Sequence, residues 1–163
     1  MLKNISRREA LIVVALGTTL IEKNKSTADE DSNNTMSFKY IRIYADTNGE
    51  SHFEDMELPM PVSDFGTANV PKLAMTKALK ASRIFFVRVE ANRADHRDMD
   101  WHTPPDRRFG IWLEGETEVT TSDGEIRRIG PGDIVLAEDT TGKGHKSLNL
   151  SDLLLVFISL DDQ

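Results

Sequence analysis

The sequence lacks cysteine altogether, although it is 163 residues long. This absence excludes disulfide bonds, thiolate nucleophiles and zinc sites built on cysteine, and it leaves the redox compartment open. An excess of positive charge is lacking as well, because 27 acidic residues face 20 basic ones and the net charge is −7. An acidic chain repels phosphate backbones, so we expect no nucleic-acid partner.

Long apolar runs are also scarce. The segment from Ala10 to Ile21 is the most extended, and it is too short to span a bilayer comfortably. Basic residues precede it, and Ser26-Thr27-Ala28 follows it. This order is typical of a secretory signal and predicts a signal peptide over residues 1–28 that is cleaved after Ala28. Residues 1–28 carry a net charge of +3, which leaves −10 on the remainder of the chain.

The basic segment has the form of an export motif. SRREAL, from Ser6 to Leu11, resembles the twin-arginine motif, with Ala10 where that motif usually has an aromatic residue. We therefore expect a protein exported to the periplasm or another extracytoplasmic compartment. Two alternatives stay open. Either the segment is an uncleaved anchor, which would be the protein's membrane contact, or Met36 is the true start and the protein is cytoplasmic.

The rest of the chain has the pattern of short strands separated by turns. Residues 29–37 are polar and predict a flexible leader, and residues 38–163 predict a single domain. FKYIRIYA and LLLVFISL predict strands, and Asp123-Gly124 between alternating runs predicts a tight hairpin. Residues 56–71 are interpreted as irregular and residues 72–81 as a short helix. The predicted fold class is all-β, a sandwich or a barrel.

Two motifs in the second half resemble those of the cupins, a family of small jelly-roll β-barrels. The second cupin motif places a histidine three residues after a glycine and an asparagine further on, as Gly142, His145 and Asn149 do. Thr140 stands where that motif usually has proline. GPGD, ending at Asp133, is similar to the turn between the two motifs in that family.

The first cupin motif is matched only in outline. His102 stands for the first of its two histidines, and Gly115 stands for the glycine that ends its strand. The slot of the second histidine falls on Pro104, and the slot of the usual glutamate falls on Arg108. The ligand set that the resemblance implies is therefore incomplete.

The resemblance extends from about Phe38 to the C terminus and is to small, stand-alone cupins of the cupin-2 type. It implies a cupin jelly-roll barrel (a double-stranded β-helix) with an N-terminal arm, but it names no reaction, because this fold hosts many chemistries. Cupins commonly dimerise through edge strands and such an arm. FKYIRIYA is long and apolar enough to need cover, so we expect a homodimer.

A metal site would depend on His102 and His145, with His96 as an imidazole that could reach in from a loop. Arg108 cannot ligate a metal, because its guanidinium is a permanent cation without a lone pair. Glu138 or Asp139 could complete the set. We therefore expect no cofactor, with a divalent metal on an atypical ligand set as the alternative.

The presence of Arg108 at the slot of the usual glutamate also suggests a pocket for a small anion. Strand alternation places Arg108, Gly110 and Trp112 on one face. If Arg108 points inward, its guanidinium, an aromatic wall and two imidazoles suit a small carboxylate, enolate or phenolate. Arg108 could instead turn outward and pair with Glu114 or Glu116. The fit of Asn149 to the second motif adds it to Arg108 and Trp112 as a substrate-binding candidate.

Three functions are compatible with this pocket. The first is a metal-independent acid–base enzyme of isomerase, decarboxylase or lyase type, in which His102 and His145 are catalytic and move protons near neutral pH. The second is a protein that binds a small anionic molecule without turning it over. The third is a metal-dependent oxygenase with an atypical ligand set. The residues do not separate the first two, and the habits of the family favour an enzyme.

Overall fold

The computed structural model describes residues 36–63, 69, 71–91 and 98–161, and the regular secondary structure of this part of the chain consists of β-strands. The expected signal peptide and most of the expected leader lie outside these residues. Within the described ranges no helix is long and apolar enough to cross a membrane. The described strands, in chain order, are β1 Met36–Ala45, β2 Ser51–Met60, β3 Val62–Ser63, β4 Leu73–Ala74, β5 Ala81–Val89, β6 Asp98–His102, β7 Arg108–Glu114, β8 Thr117–Thr121, β9 Ile126–Ile129, β10 Ile134–Ala137, β11 His145–Asn149 and β12 Leu153–Leu160.

The strand order is that of a jelly roll. Strands β5 to β12 divide between two sheets, β10-β7-β12-β5 in the first and β6-β11-β8-β9 in the second. Eight strands that alternate between two antiparallel sheets in this way make two Greek keys. The prediction of an all-β jelly-roll barrel is confirmed, including the β8–β9 hairpin at Asp123-Gly124, where Gly124 has a φ of +94°.

The N-terminal arm is a β1–β2 hairpin that extends the first sheet to six strands. Strand β1 pairs in parallel with β10 on one side and antiparallel with β2 on the other. The FKYIRIYA strand is therefore covered within its own chain, and its need for cover does not require a second copy. The homodimer stays a prediction.

Strand β2 is longer than the sequence pattern indicates. The expectation of irregular structure from residue 56 is wrong for Met56 to Met60, which continue the strand and pair with β1. Pro59 argues against a strand in the sequence pattern, because proline lacks the N–H that a central strand needs. Strand β2 lies at the edge of its sheet, where proline is tolerated.

The helix expected over residues 72–81 is also absent. Leu73–Ala74 form β4, which pairs with β3, and the residues after β4 have no regular structure until Ala81 begins β5. The N–H of Met75 donates to the carbonyl of Pro61. A ten-residue helix without a well-buried apolar face is marginal because its nucleation is costly, so pairing with β3 prevails.

The core lies on both faces of the first sheet. One cluster fills the space between the two sheets and includes Trp112, Val119, Ile129, Leu153 and Leu155. A second, smaller cluster lies on the opposite face of the first sheet, around Tyr40, Phe109, Leu136 and Leu160. Each fully buried side chain of this size contributes about 1.5–3 kcal/mol.

Candidate functional site

A cavity of about 330 Å³ lies between the two sheets of the barrel. Its volume is near the lower end of the range for small-molecule sites. Most of its wall is apolar, and the first sheet supplies the larger part: Val87, Val89, Val135, Leu153, Leu155 and Phe157. The polar groups face this apolar surface from a few positions only.

All five residues predicted for the site line this cavity. His102 ends β6, Arg108 and Trp112 lie on β7, and His145 and Asn149 lie at the two ends of β11. The alternation along β7 is as expected, because Gly110 also lines the cavity while Phe109 packs in the cluster on the opposite face. The structure therefore brings these five residues together at one cavity. That this cavity is the functional site, and the roles of its residues, stay predictions.

The two imidazoles lie side by side. His102 and His145 are register partners in the antiparallel pair of β6 and β11, and their ring centroids are 4.6 Å apart. Gly144 makes this approach possible. Its φ is +70°, and a Cβ at that position would lie 2.0 Å from the carbonyl oxygen of His102.

Hydrogen bonds determine which ring nitrogens are available to a ligand. Nδ1 of His102 lies 2.8 Å from the carbonyl oxygen of Asp100, and Nδ1 of His145 lies 2.7 Å from Oδ2 of Asp139. A carbonyl or an ionised carboxylate can only accept, so both Nδ1 atoms donate. In each neutral ring Nε2 is then the unprotonated nitrogen that can accept a proton or a hydrogen bond.

Asp139, which the sequence offers as a possible metal ligand, lies behind His145, and its Oδ2 accepts a hydrogen bond from Nδ1 of that histidine. Its side chain is fully buried, and within the described residues its Oδ1 has no hydrogen-bond partner. A buried carboxylate that accepts a hydrogen bond from an imidazole fixes the orientation and the tautomer of the ring. The available signal was an acidic residue just before the glycine-rich loop that ends at His145.

Arg108 points inward, so the alternative of an outward pair with Glu114 or Glu116 is wrong. Its side chain is 9% exposed and forms an ion pair with Asp106. The guanidinium carbon also lies 5.6 Å and 5.5 Å from the ring centroids of Phe85 and Phe157, a cation–π arrangement.

The charge of Arg108 is compensated before any ligand arrives. Burial raises the pKa of Asp106, but hydrogen bonds from Arg108 and Ser159 together with the charges of Arg108 and Arg83 lower it by more. The pKa therefore lies below the ordinary 3.8, and the carboxyl is ionised near neutral pH. Arg83 also forms an ion pair with Asp106. Arg108 is therefore less available to a free anion than an unpaired arginine would be.

The described residues do not supply a metal site. Glu138 is held between Arg42 and Arg107. Burial raises the pKa of Glu138, but the hydrogen bonds and the charges of the two arginines together lower it by more. Within the described ranges no three His, Cys, Asp or Glu side chains are grouped to hold a metal ion, and His96 lies outside those ranges. Two imidazoles in a cavity whose wall also carries a permanent cation do not fit a divalent metal ion.

A second polar group lies toward the other end of β11. The indole Nε1 of Trp112 donates to Oγ1 of Thr117 over 3.1 Å, and that hydroxyl donates to Oδ1 of Asn149 over 3.4 Å. All three side chains are buried. Trp112 thus contributes an apolar wall, as expected, and also positions Thr117 beside Asn149.

The loop that carries His145 is supported by the turn between β1 and β2. The hydroxyl of Ser51 donates to the carbonyl of Gly144 over 2.6 Å, and the N–H of Lys143 donates to the carbonyl of Gly49 over 2.9 Å. Gly142 lies so close to Gly49 that a Cβ on it would be 2.5 Å from the Gly49 carbonyl oxygen. The N-terminal arm therefore helps to position the imidazole.

Comparisons with known proteins give structural similarity alone. No family model and no curated protein matches the chain. A cupin-2 domain containing protein from Shewanella frigidimarina is 19% identical, with 48% of this chain and 69% of that chain covered and a TM-score of 0.38. A protein of unknown function from Streptococcus pyogenes is 13% identical, with coverage of 63% and 95% and a TM-score of 0.39. A protein from Salmonella typhimurium, described as an ethanolamine utilization protein Q, is 10% identical, with 77% of this chain and 97% of that chain covered and a TM-score of 0.32. The fold assignment rests on the strand order.

Proposed function

We propose that this chain is a cupin-type protein that binds a small, largely apolar molecule with one acidic oxygen and exchanges a proton with it. The observation that carries the proposal is the pair His102 and His145, with Asp139 behind His145, in a cavity whose wall is mostly apolar. A phenol or an enol has the required chemistry.

The apolar wall and the compensated arginine narrow the ligand class. Burial of apolar surface is the main source of affinity in such a pocket. Among the described residues that line it, Arg108 is the one permanent cation, and Asp106 already neutralises it. A phosphate or a dicarboxylate would find no second cation there, so the ligand carries one weak acid and no more.

The proton transfer follows from the hydrogen bonds of His145. The O–H of the ligand donates its proton to Nε2, the O–H bond breaks and an N–H bond forms. The imidazolium is then stabilised by Asp139, which accepts from Nδ1, and its new Nε2–H donates a hydrogen bond to the oxyanion of the ligand. Before the transfer, the same ligand O–H can donate to the unprotonated Nε2 of His102 instead. With a carbon acid as substrate, the same transfer would begin an isomerisation or an elimination.

Binding of 4-methylphenol to the full chain tests the proposal. Replacement of His145 by alanine removes the proton acceptor and leaves Asp139 buried without it. We expect the dissociation constant, measured by calorimetry near pH 7, to rise about 10-fold, which corresponds to a hydrogen bond to a charged group of about 1.4 kcal/mol. His52→Ala is the matched control, because His52 bonds Asp123 on the outside of the barrel. Equal affinity in the wild type and His145→Ala would refute the proposal, as would a complete lack of binding.

A further inference from the structure

The inward row of β11 carries a polar group that the proposed function does not use. His145, Ser147 and Asn149 alternate with outward residues, are all buried and all line the cavity. Alternate residues of a strand lie about 7 Å apart on one face. Ser147 therefore lies between the imidazole pair and the group formed by Thr117 and Asn149.

The hydroxyl of Ser147 is available to a ligand. The residue is only 7% exposed, and within the described part of the chain its Oγ has no hydrogen-bond partner, whereas Thr117 and Asn149 bond each other. Its surroundings on the cavity wall are mainly apolar, with Val119 as the register partner on β8. A hydroxyl buried among apolar groups is unfavourable unless something in the cavity bonds to it.

We propose that Ser147 binds a second, neutral oxygen of the ligand. The ligand then has two oxygen functions, at opposite ends of an apolar body. The inference rests on the proposed function, which places the acidic oxygen at Nε2 of His145. The second group is a hydroxyl or a carbonyl, because a serine hydroxyl donates and accepts but carries no charge. The spacing of two residues along β11 suits groups separated by about one aromatic ring.

Two ligands that differ by a single hydroxyl separate this inference from the proposed function. 4-Hydroxybenzyl alcohol has the phenol and a second hydroxyl at the far end of the ring, whereas 4-methylphenol has the phenol alone. Each is titrated by calorimetry into the full-length wild type, Ser147→Ala and a control, Thr120→Ala. Thr120 pairs with Lys146 on the neighbouring strand and lies outside the cavity lining.

We expect Ser147→Ala to weaken 4-hydroxybenzyl alcohol by roughly 3- to 10-fold, the effect of one hydrogen bond. Its affinity for 4-methylphenol should change by less than about 2-fold, because that ligand has nothing to offer Ser147. Thr120→Ala should change neither. The melting temperature of Ser147→Ala should not fall, since the hydroxyl that it removes has no partner in the described part of the chain.

Equal effects of Ser147→Ala on both ligands, or no effect on either, would overturn this inference and leave the proposed function intact. Failure of both ligands to bind the wild type would overturn the proposed function and this inference with it. A fall in the melting temperature of Ser147→Ala would assign Ser147 to the fold instead and would also overturn the inference.

Discussion

Replacement of Gly144 by alanine should damage the fold and the site together. Gly144 precedes β11 with a φ of +70°, and its Cα lies against the end of β6. An added Cβ would lie 2.0 Å from the carbonyl oxygen of His102 and 2.9 Å from the N–H nitrogen of Thr103. Both atoms belong to the backbone, so no rotation of a side chain can relieve the clash.

The expected loss of stability has two parts. An alanine in the left-handed region costs about 1–2 kcal/mol. The clash requires the two backbones to separate by about 1.4 Å, from 2.0 Å to an ordinary contact of 3.4 Å. That shift would lose one or two hydrogen bonds between β6 and β11, each worth about 0.5–1.5 kcal/mol. We expect a total loss of about 1.5–5 kcal/mol, a substantial share of the roughly 5–15 kcal/mol that is typical of a domain.

Gly124→Ala is a matched control for the backbone conformation. Gly124 has a φ of +94°, and an added Cβ would meet nothing within 4 Å. Urea denaturation followed by circular dichroism should show a loss of about 1–2 kcal/mol for Gly124→Ala and a clearly larger loss for Gly144→Ala. Weakened 4-methylphenol binding is expected for Gly144→Ala alone, because the shift separates His102 from His145. If the two variants lose the same stability, the close approach of β6 and β11 at Gly144 is refuted.

Two further predictions concern ion pairs. The hydrogen bond to Asp123 and the pair with Asp46 raise the pKa of His52 above 6.5, although partial burial lowers it. The stability that protonated His52 gives to the fold is therefore present at low pH and is lost as the pH rises through the raised pKa. Thermal melts should show His52→Gln destabilised by roughly 0.5–1 kcal/mol at about pH 5.5 and by almost nothing at about pH 9, and a constant difference would contradict this. Asp106→Ala should cost about 3 kcal/mol in urea denaturation, because it leaves the buried Arg108 without its counter-charge. Loss of the exposed Asp55, which pairs with Arg127, should cost under about 1 kcal/mol, and equal losses would show that Arg108 is not effectively buried.

The sequence predicted the barrel because its local signals agree with its tertiary structure. LLLVFISL became the interior strand β12, which lies between β7 and β5, and Asp123-Gly124 became the turn of the β8–β9 hairpin. The signals failed where an element depends on its position in the sheet. Pro59 is compatible with a strand only because β2 lies at an edge, and the pattern of residues 56–60 does not reveal an edge.

The sequence was enough to predict which side chains face the cavity. It was not enough to predict which residues form hydrogen bonds and ion pairs with them. Alternation along β7 placed Arg108 and Trp112 on the cavity wall correctly. The partner of Arg108 is Asp106, two residues away, and no periodicity distinguishes that pair from one with Glu114. Asp139 depends on the path of the loop before His145, which the turn between β1 and β2 helps to determine through contacts distant in sequence.

The parallel pairing of β1 with β10 has a consequence for the order of folding. The β1–β2 hairpin is local and can form early, but its docking partner lies roughly 90 residues later in the chain, since Ile41 is the register partner of Val135. Contacts between residues so far apart in sequence form slowly, because the entropy of closing the long loop is lost before any contact compensates for it. During synthesis the apolar side chains of β1 therefore stay unburied until β10, in the last third of the chain, has been made. The turn that supports the His145 loop belongs to this hairpin, so the binding site is completed only when the arm docks.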